Sequence, residues 1–145
     1  MNTRVIVATV AGGAALFLLG FIVYGLLLEG WMKTQMVQYQ GLMNATPNFV
    51  TLIIANIVWA LLVALIFDRW ATISTFVGGL IGGAMITFFM GLYYDMMSVS
   101  FMNLYSGFTP VVVDVIAFTV IGALAGGVVG AVLGMMNKGP VTEAA

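Results

Sequence analysis

The sequence has no cysteine and no histidine, and only nine of its 145 residues carry a formal charge, four basic and five acidic. Without cysteine there can be no disulfide, iron-sulfur cluster, thiolate zinc site or cysteine nucleophile. Without histidine the usual haem and copper ligand is missing, as is the commonest acid-base catalyst. The formal net charge of −1 is small and its charges are scattered, which argues against nucleic acid as a partner. What fills the space is apolar: 63% of residues are hydrophobic and only 6% charged, whereas soluble domains carry roughly a quarter charged residues. With a mean hydropathy of +1.17 the chain reads as an integral membrane protein. At roughly 20 residues per span, its length accommodates four transmembrane helices with little left over.

The spans are read at 5–28, 49–67, 72–94 and 108–136. The first follows Arg4 and runs into Glu29, Gly30 and Trp31 rather than into a small-x-small cleavage site, so it is expected to be retained. Between 30 and 44, Met32, Met36, Tyr39 and Met43 recur at helical spacing among Lys33 and glutamines. This predicts an amphipathic helix at the membrane surface, with Trp31 and Tyr39 at headgroup depth, the alternative being an irregular loop with its methionines tucked against the bundle. Pro47 stands near the start of the second span, where its missing donor costs little. Asp68-Arg69-Trp70 makes the shortest turn in the chain and predicts antiparallel neighbours in the second and third spans. Asp95 is expected to close the third span and Pro110 to open the fourth, after a neutral connection over 96–107. The residues from Asn137 onward read as a frayed polar tail.

Glycine recurs every fourth residue in the fourth span, at Gly122, Gly126, Gly130 and Gly134, and the third span has Gly78, Gly79, Gly82 and Gly83. Glycine costs an exposed helix about 1 kcal/mol relative to alanine. In a bilayer, small residues four apart let two helices approach backbone to backbone. These eight glycines are therefore expected to be helix-packing positions, either sealing two hairpins together or forming a dimer surface.

Arg4, Arg69 and Lys138 fall on the side shared by the two termini and the middle turn, against Lys33 alone on the other. The positive-inside rule then places both termini in the cytoplasm. At an offset of 66 residues, Thr9 meets Thr75, Gly12-Gly13 meet Gly78-Gly79, Gly25-Leu26 meet Gly91-Leu92 and Glu29 meets Asp95. Met43-Asn44 and Thr46-Pro47 likewise have counterparts in Met102-Asn103 and Thr109-Pro110. Trp59 then stands opposite Gly122. The halves 5–69 and 71–136 read as two copies of a helical hairpin, parallel repeats about a pseudo-two-fold axis along the membrane normal, and predict an all-α, four-helix transmembrane bundle.

The stretch Leu19-Gly20-Phe21-Ile22-Val23-Tyr24-Gly25-Leu26, continuing to Trp31-Met32, resembles the first-helix motif of a family of small bacterial four-helix membrane proteins of unknown function. That motif reads LG, two residues, WYGPL, then WM. Val23 stands where the family has tryptophan and Leu26 where it has proline. The resemblance implies a multi-pass protein of the bacterial inner membrane and supplies no catalytic residue.

Among polar residues inside the spans Asp114 is the most conspicuous, about 9 Å into the fourth helix at 1.5 Å per residue. An exposed carboxylate at that depth costs of the order of 2–3 kcal/mol, so it is expected to face inward or to be protonated. Asn56, Tyr24 and Tyr93 or Tyr94 reach similar depth, and Glu29 and Asp95 are the paired acids of the repeat. Together they form a candidate polar cluster with contributions from all four helices. It reads either as a hydrogen-bond network holding the helices in register or as a proton- or solute-binding site. No ligand motif for a metal, nucleotide-binding loop or catalytic triad occurs, so neither metal nor cofactor nor enzymatic activity is expected. The leading expectation is a non-enzymatic bundle in contact with lipid, acting through helix contacts as a homo-oligomer or accessory subunit of another membrane protein. The alternative is a small transporter or channel built around Asp114.

Overall fold

The computed structural model describes residues 2–42, 44 and 46–137; Met43, Lys138 and the remaining tail lie outside the described residues. The described chain is all helical, with α1 (Thr3–Leu27), α2 (Glu29–Gln35), α3 (Phe49–Ala71), α4 (Phe76–Phe101) and α5 (Thr109–Asn137). Among the described residues α1, α3, α4 and α5 are long and apolar enough to cross a membrane. All four begin within four residues of the positions read from the sequence.

Two boundaries differ in ways that matter. α4 does not stop at Asp95 but continues to Phe101, with half-buried Met96 and buried Ser98 keeping up its inward face beyond it. Asp95 is thus inside the helix. The amphipathic helix expected over 30–44 is only α2, seven residues long. From Met36 the chain is extended and pairs with the other connection at the same end of the bundle. Val37 N–H donates to the Leu104 carbonyl and Ser106 N–H to the Gln35 carbonyl, each at 2.8 Å, and Tyr39 Oη donates to the Asn103 carbonyl at 2.9 Å. This cross-pairing satisfies backbone groups that a longer helix would have paired internally.

Both α1 and α3 end in wider π-helical turns, over Phe21–Leu27 and Ile66–Ala71. Thr72, at φ 50°, then stops α3 in the left-handed region. Asn48 caps α3 by accepting from Val50 and Thr51 N–H, and Thr75 caps α4 by accepting from Gly78 N–H at 3.0 Å. Both are side-chain oxygens answering donors that the first helical turn leaves free. At the end that carries the N-terminus, Arg4 Nε meets Asp68 Oδ1 at 2.7 Å and ties the start of α1 to the end of α3.

α5 is the hub, packed along α4 on one side and against α1 on the other, while α3 packs mainly on α1. α3 and α4 are antiparallel through their turn but meet only near it, where Phe67 closes on Gly82. The expectation that they would be packed neighbours is corrected: the backbone surface of α4 is taken by α5. A Cβ at Gly79 would run into the Gly126 carbonyl, one at Gly83 into the Gly122 carbonyl, one at Gly130 into the Thr75 carbonyl and one at Gly134 into the Ser74 carbonyl. The ladder therefore neither seals one hairpin to the other nor lies outside; it closes α4 and α5 on each other. Gly78 and Gly82 sit off this seam, against Ile73, Thr75 and Phe67. The two halves of the chain join instead through α1 and α5, where Gly12 abuts Val129, while within the first half Gly12 also nears Ala60 and Gly13 abuts Ile57 of α3. Below that contact Val5, Ala8, Val63, Phe67, Val129 and Leu133 form the main apolar core.

Overpacking a tight core costs about 1–3 kcal/mol per site, and here the obstacle is backbone, which cannot rotate away. Gly83→Leu and Gly126→Leu are each expected to lower the unfolding midpoint in mild detergent, whereas Gly20→Leu, with nothing within 4 Å of its Cβ position, leaves it unchanged. Unfolding followed by loss of helical circular dichroism measures both.

Candidate functional site

The seam between α4 and α5 has a polar upper end. On α4 the buried positions step by four residues, Gly79, Gly83, Thr87, Gly91 and Asp95. On α5 their partners step down by four: Gly126 faces Gly79 and Gly83, Gly122 faces Thr87, and Phe118 faces Gly91. One further step brings Asp95 to Asp114. Matching four-residue ridges on two antiparallel helices lock the register, and that register brings the two acids next to each other on the facing helices. Asp95 lies six residues from the end of α4 and Asp114 five from the start of α5, so both are about 8–9 Å inside the helix ends at 1.5 Å per residue.

Asp95 is 1% exposed, and its Oδ2 is buried without a hydrogen-bond partner. Its other oxygen, Oδ1, is 3.5 Å from Tyr105 Oη, which reaches in from the connection between α4 and α5. Tyr24, half-buried in the π-helical part of α1, places its hydroxyl 3.5 Å from the Asp114 main-chain carbonyl and within reach of the Asp114 carboxyl. π-helical turns are frequent at functional positions because they re-aim a side chain relative to a regular helix. The cluster is thus Asp95, Asp114, Tyr24 and Tyr105.

Positive charge is missing from it. Arg4 is paired with Asp68 and Arg69 is exposed in the terminal turn of α3, both at the opposite end, while Lys33 is paired with Glu29 at 2.7 Å on the exposed face of α2. Among the described residues neither Asp95 nor Asp114 forms an ion pair. Two carboxyls this close in a low-dielectric setting are not both ionised unless a cation accompanies them. The chemistry open to this arrangement is binding and release of a proton or another cation.

Several residues expected in the cluster lie elsewhere. Asn56 Nδ2 donates to the Leu52 carbonyl of its own helix at 2.8 Å, and α3 stands behind α1, away from the α4–α5 seam. Glu29 is exposed on α2, held by Lys33, so it and its repeat counterpart Asp95 have opposite environments. Tyr93 and Tyr94 are 62% and 69% exposed and point outward. Three spans and a connection build the site rather than all four helices. Among the described residues no three acidic, His or Cys side chains converge. Tyr105 was not singled out in the sequence because it sits in a neutral connection with no local motif. The signal for Asp95 was present, since it is the fifth member of a four-residue series begun by Gly79 and Gly83.

The two zipped connections roof the cluster. Met36 and Tyr105 face each other in an isolated antiparallel bridge, and Tyr105 also lines an open hollow of about 300 Å³ with Val99, Ser100, Phe101, Met102 and Asn103. Burial, and next the neighbouring Asp95 carboxylate, push the Tyr105 phenol up from 10.0 to about 12. A raised folded-state value means this contribution to stability is whole below pH 10 and is lost as pH rises through about 12. Asp95→Asn removes the charge but not the burial, so the phenol is expected to ionise at lower pH yet still above 10. Ultraviolet titration of phenolate, with Tyr105→Phe as the blank, measures it. Comparison with family models, with curated proteins and with solved structures gives no match to this chain.

Proposed function

We propose that this protein is a small membrane transporter or channel in which the Asp95–Asp114 pair binds and releases a proton. The observation that supports it is a buried carboxyl, Asp95, with one unpartnered oxygen, facing a second carboxyl, with neither acid in an ion pair among the described residues. An acid retained inside a span at a cost of about 2–3 kcal/mol is by default functional. A network that served only to hold the helices would be met more cheaply by neutral side chains, since the glycine seam already fixes their register. Arg4 and Arg69 lie at one end of the bundle and favour that end as cytoplasmic, in a bacterial inner membrane, with the acid pair toward the outer face.

A second reading, as homo-oligomer or accessory subunit, has one observation in its favour. α3 turns Phe49, Val50, Ile53, Ile54 and Val58 outward, each at least half exposed, and is held mainly by α1. A partner helix or lipid alone would satisfy that face equally. On the same proposal the chain is a duplicated hairpin whose halves have diverged. α1 packs along α5 but the equivalent α3–α4 contact is marginal, so the pseudo-two-fold relation is kept in the sequence pattern better than in the packing.

Reconstituted into liposomes with an imposed pH gradient, the protein is expected to dissipate the gradient, and Asp114→Asn to reduce the rate at least about tenfold without altering the gel-filtration profile. Equal rates for wild type, Asp114→Asn and empty liposomes would remove the transport reading.

A further inference from the structure

The two connections at the loop end are joined by backbone and little else. Val37 N–H donates to the Leu104 carbonyl and Ser106 N–H to the Gln35 carbonyl, with Met36 opposite Tyr105 between them, and Tyr39 Oη adds a bond to the Asn103 carbonyl. None of the described residues in 36–42 or 102–108 is buried. A two-stranded contact without an apolar core is marginal, and exposed hydrogen bonds with few buried contacts mark the parts of a protein that open first. The α4–α5 seam beneath is the opposite case: at Gly83 and Gly122 the facing helix leaves no room even for a methyl group.

We propose that this ribbon, residues 35–39 with 103–106, is a gate. It unzips as a unit while α4 and α5 stay closed on each other, and its opening lifts Tyr105 off Asp95 and admits water to the buried acid from the loop end. The inference rests on reading the acid pair as the working site and adds how that site is reached. Tyr105 belongs to both parts, its backbone to the bridge with Met36 and its hydroxyl to the surroundings of Asp95, so the phenol leaves with the ribbon. Asp95 is 1% exposed with Oδ2 unpartnered, so exchange of a proton with water requires something above it to move.

What moves follows from how each strand is held. The first strand continues directly from α2, a seven-residue helix with no buried residue, and swings with it as one arm. The second is anchored on both sides, by α4 ending at Phe101 and α5 beginning at Thr109. Departure of the 35–39 arm therefore comes first and release of Tyr105 second. The hollow of about 300 Å³ lined by residues 99–103 already has Tyr105 in its wall and gives the ring a place to turn into. Gly107, with nothing within 4 Å of its Cβ position, lies between the last ribbon bond at Ser106 and the start of α5 as an unhindered hinge.

The test measures access directly. Asp95→Cys, in the otherwise cysteine-free chain in lipid nanodiscs, is reacted with a charged, membrane-impermeant methanethiosulfonate. Modification is expected to be slow with the ribbon intact and at least about tenfold faster with Val37→Pro, which deletes the donor to Leu104. Met36 before it, at ψ 141°, already has the conformation that precedes proline. Tyr39→Phe, which leaves every backbone bond in place and removes only the bond to Asn103, is expected to speed modification about threefold. Thr87→Cys, at a position 1% exposed on the seam, is expected to stay unreactive in every background. Equal rates in all ribbon variants, or fast modification of Asp95→Cys with the ribbon intact, would overturn the inference. So would Thr87→Cys reacting in step with it, because the helices and not the ribbon would then be parting. A second arm locks the gate with Gln35→Cys and Ser106→Cys, opposite positions whose Cα atoms stand about 5.5 Å apart in paired strands, within the roughly 4.4–6.8 Å that a disulfide spans. Proton flux in liposomes is expected to fall at least about tenfold on oxidation and to return with dithiothreitol. Undiminished flux through the locked chain overturns the gate. Absence of flux from the unlocked protein removes the transport reading instead, and the labelling rates then decide the gate alone.

Discussion

Backbone contact between α4 and α5 is the constraint on which the remaining structure depends. At Gly79, Gly83, Gly126 and Gly130 there is no room for a methyl group, since the atoms in the way are carbonyl oxygens and Cα atoms of the facing helix. In lipid, where association gains little from the hydrophobic effect, such close approach is what yields dispersion energy between helices. It also admits one register only, because sliding one helix by a residue would drive Thr87 or Phe118 into a backbone that now faces glycine. The position of every other side chain on the seam follows from that.

The same contact explains why a charge-bearing pair is tolerated on this surface. With register fixed by small residues, the two acids meet toward the loop end, where the phenols of Tyr24 and Tyr105 reach them. The glycine seam beneath is closed by backbone contact, so it gives the site a floor. The π-helical turn of α1 and the pairing of residues 35–37 with 104–106 finish the enclosure without adding any basic group. Among the described residues, then, the two acids are enclosed without an ion-pair partner.

Composition made the class of protein legible: four apolar runs of the right length and few charges left no alternative to four membrane helices. The glycines were legible as packing positions. Which helix they packed on was not, because Gly122 to Gly134 carry no mark of their partner, and both a hairpin and a dimer satisfy a four-residue repeat. Asp95 read as a helix terminator because an acid after Tyr93-Tyr94 resembles an interface, whereas the four-residue series from Gly79 placed it on the buried face. Asn56 read as a cluster member from depth alone. Depth fixes the level of a residue but not the direction it faces, and its helix turned out to lie behind α1. Tyr105 was beyond reach from sequence, since a connection's fold depends on the cross-pairing between two loops 70 residues apart.

The central claim is that the glycine seam sets the register that brings Asp95 to Asp114. Because the chain has no native cysteine, paired cysteine substitutions report on this without background. Asp95→Cys combined with Asp114→Cys is predicted to form an intramolecular disulfide rapidly under mild oxidation, since the bond needs facing Cβ atoms about 3.5–4.5 Å apart. Tyr94→Cys with Asp114→Cys is predicted to stay reduced. Preferential cross-linking through position 94, or bonds formed only between chains, would contradict the account.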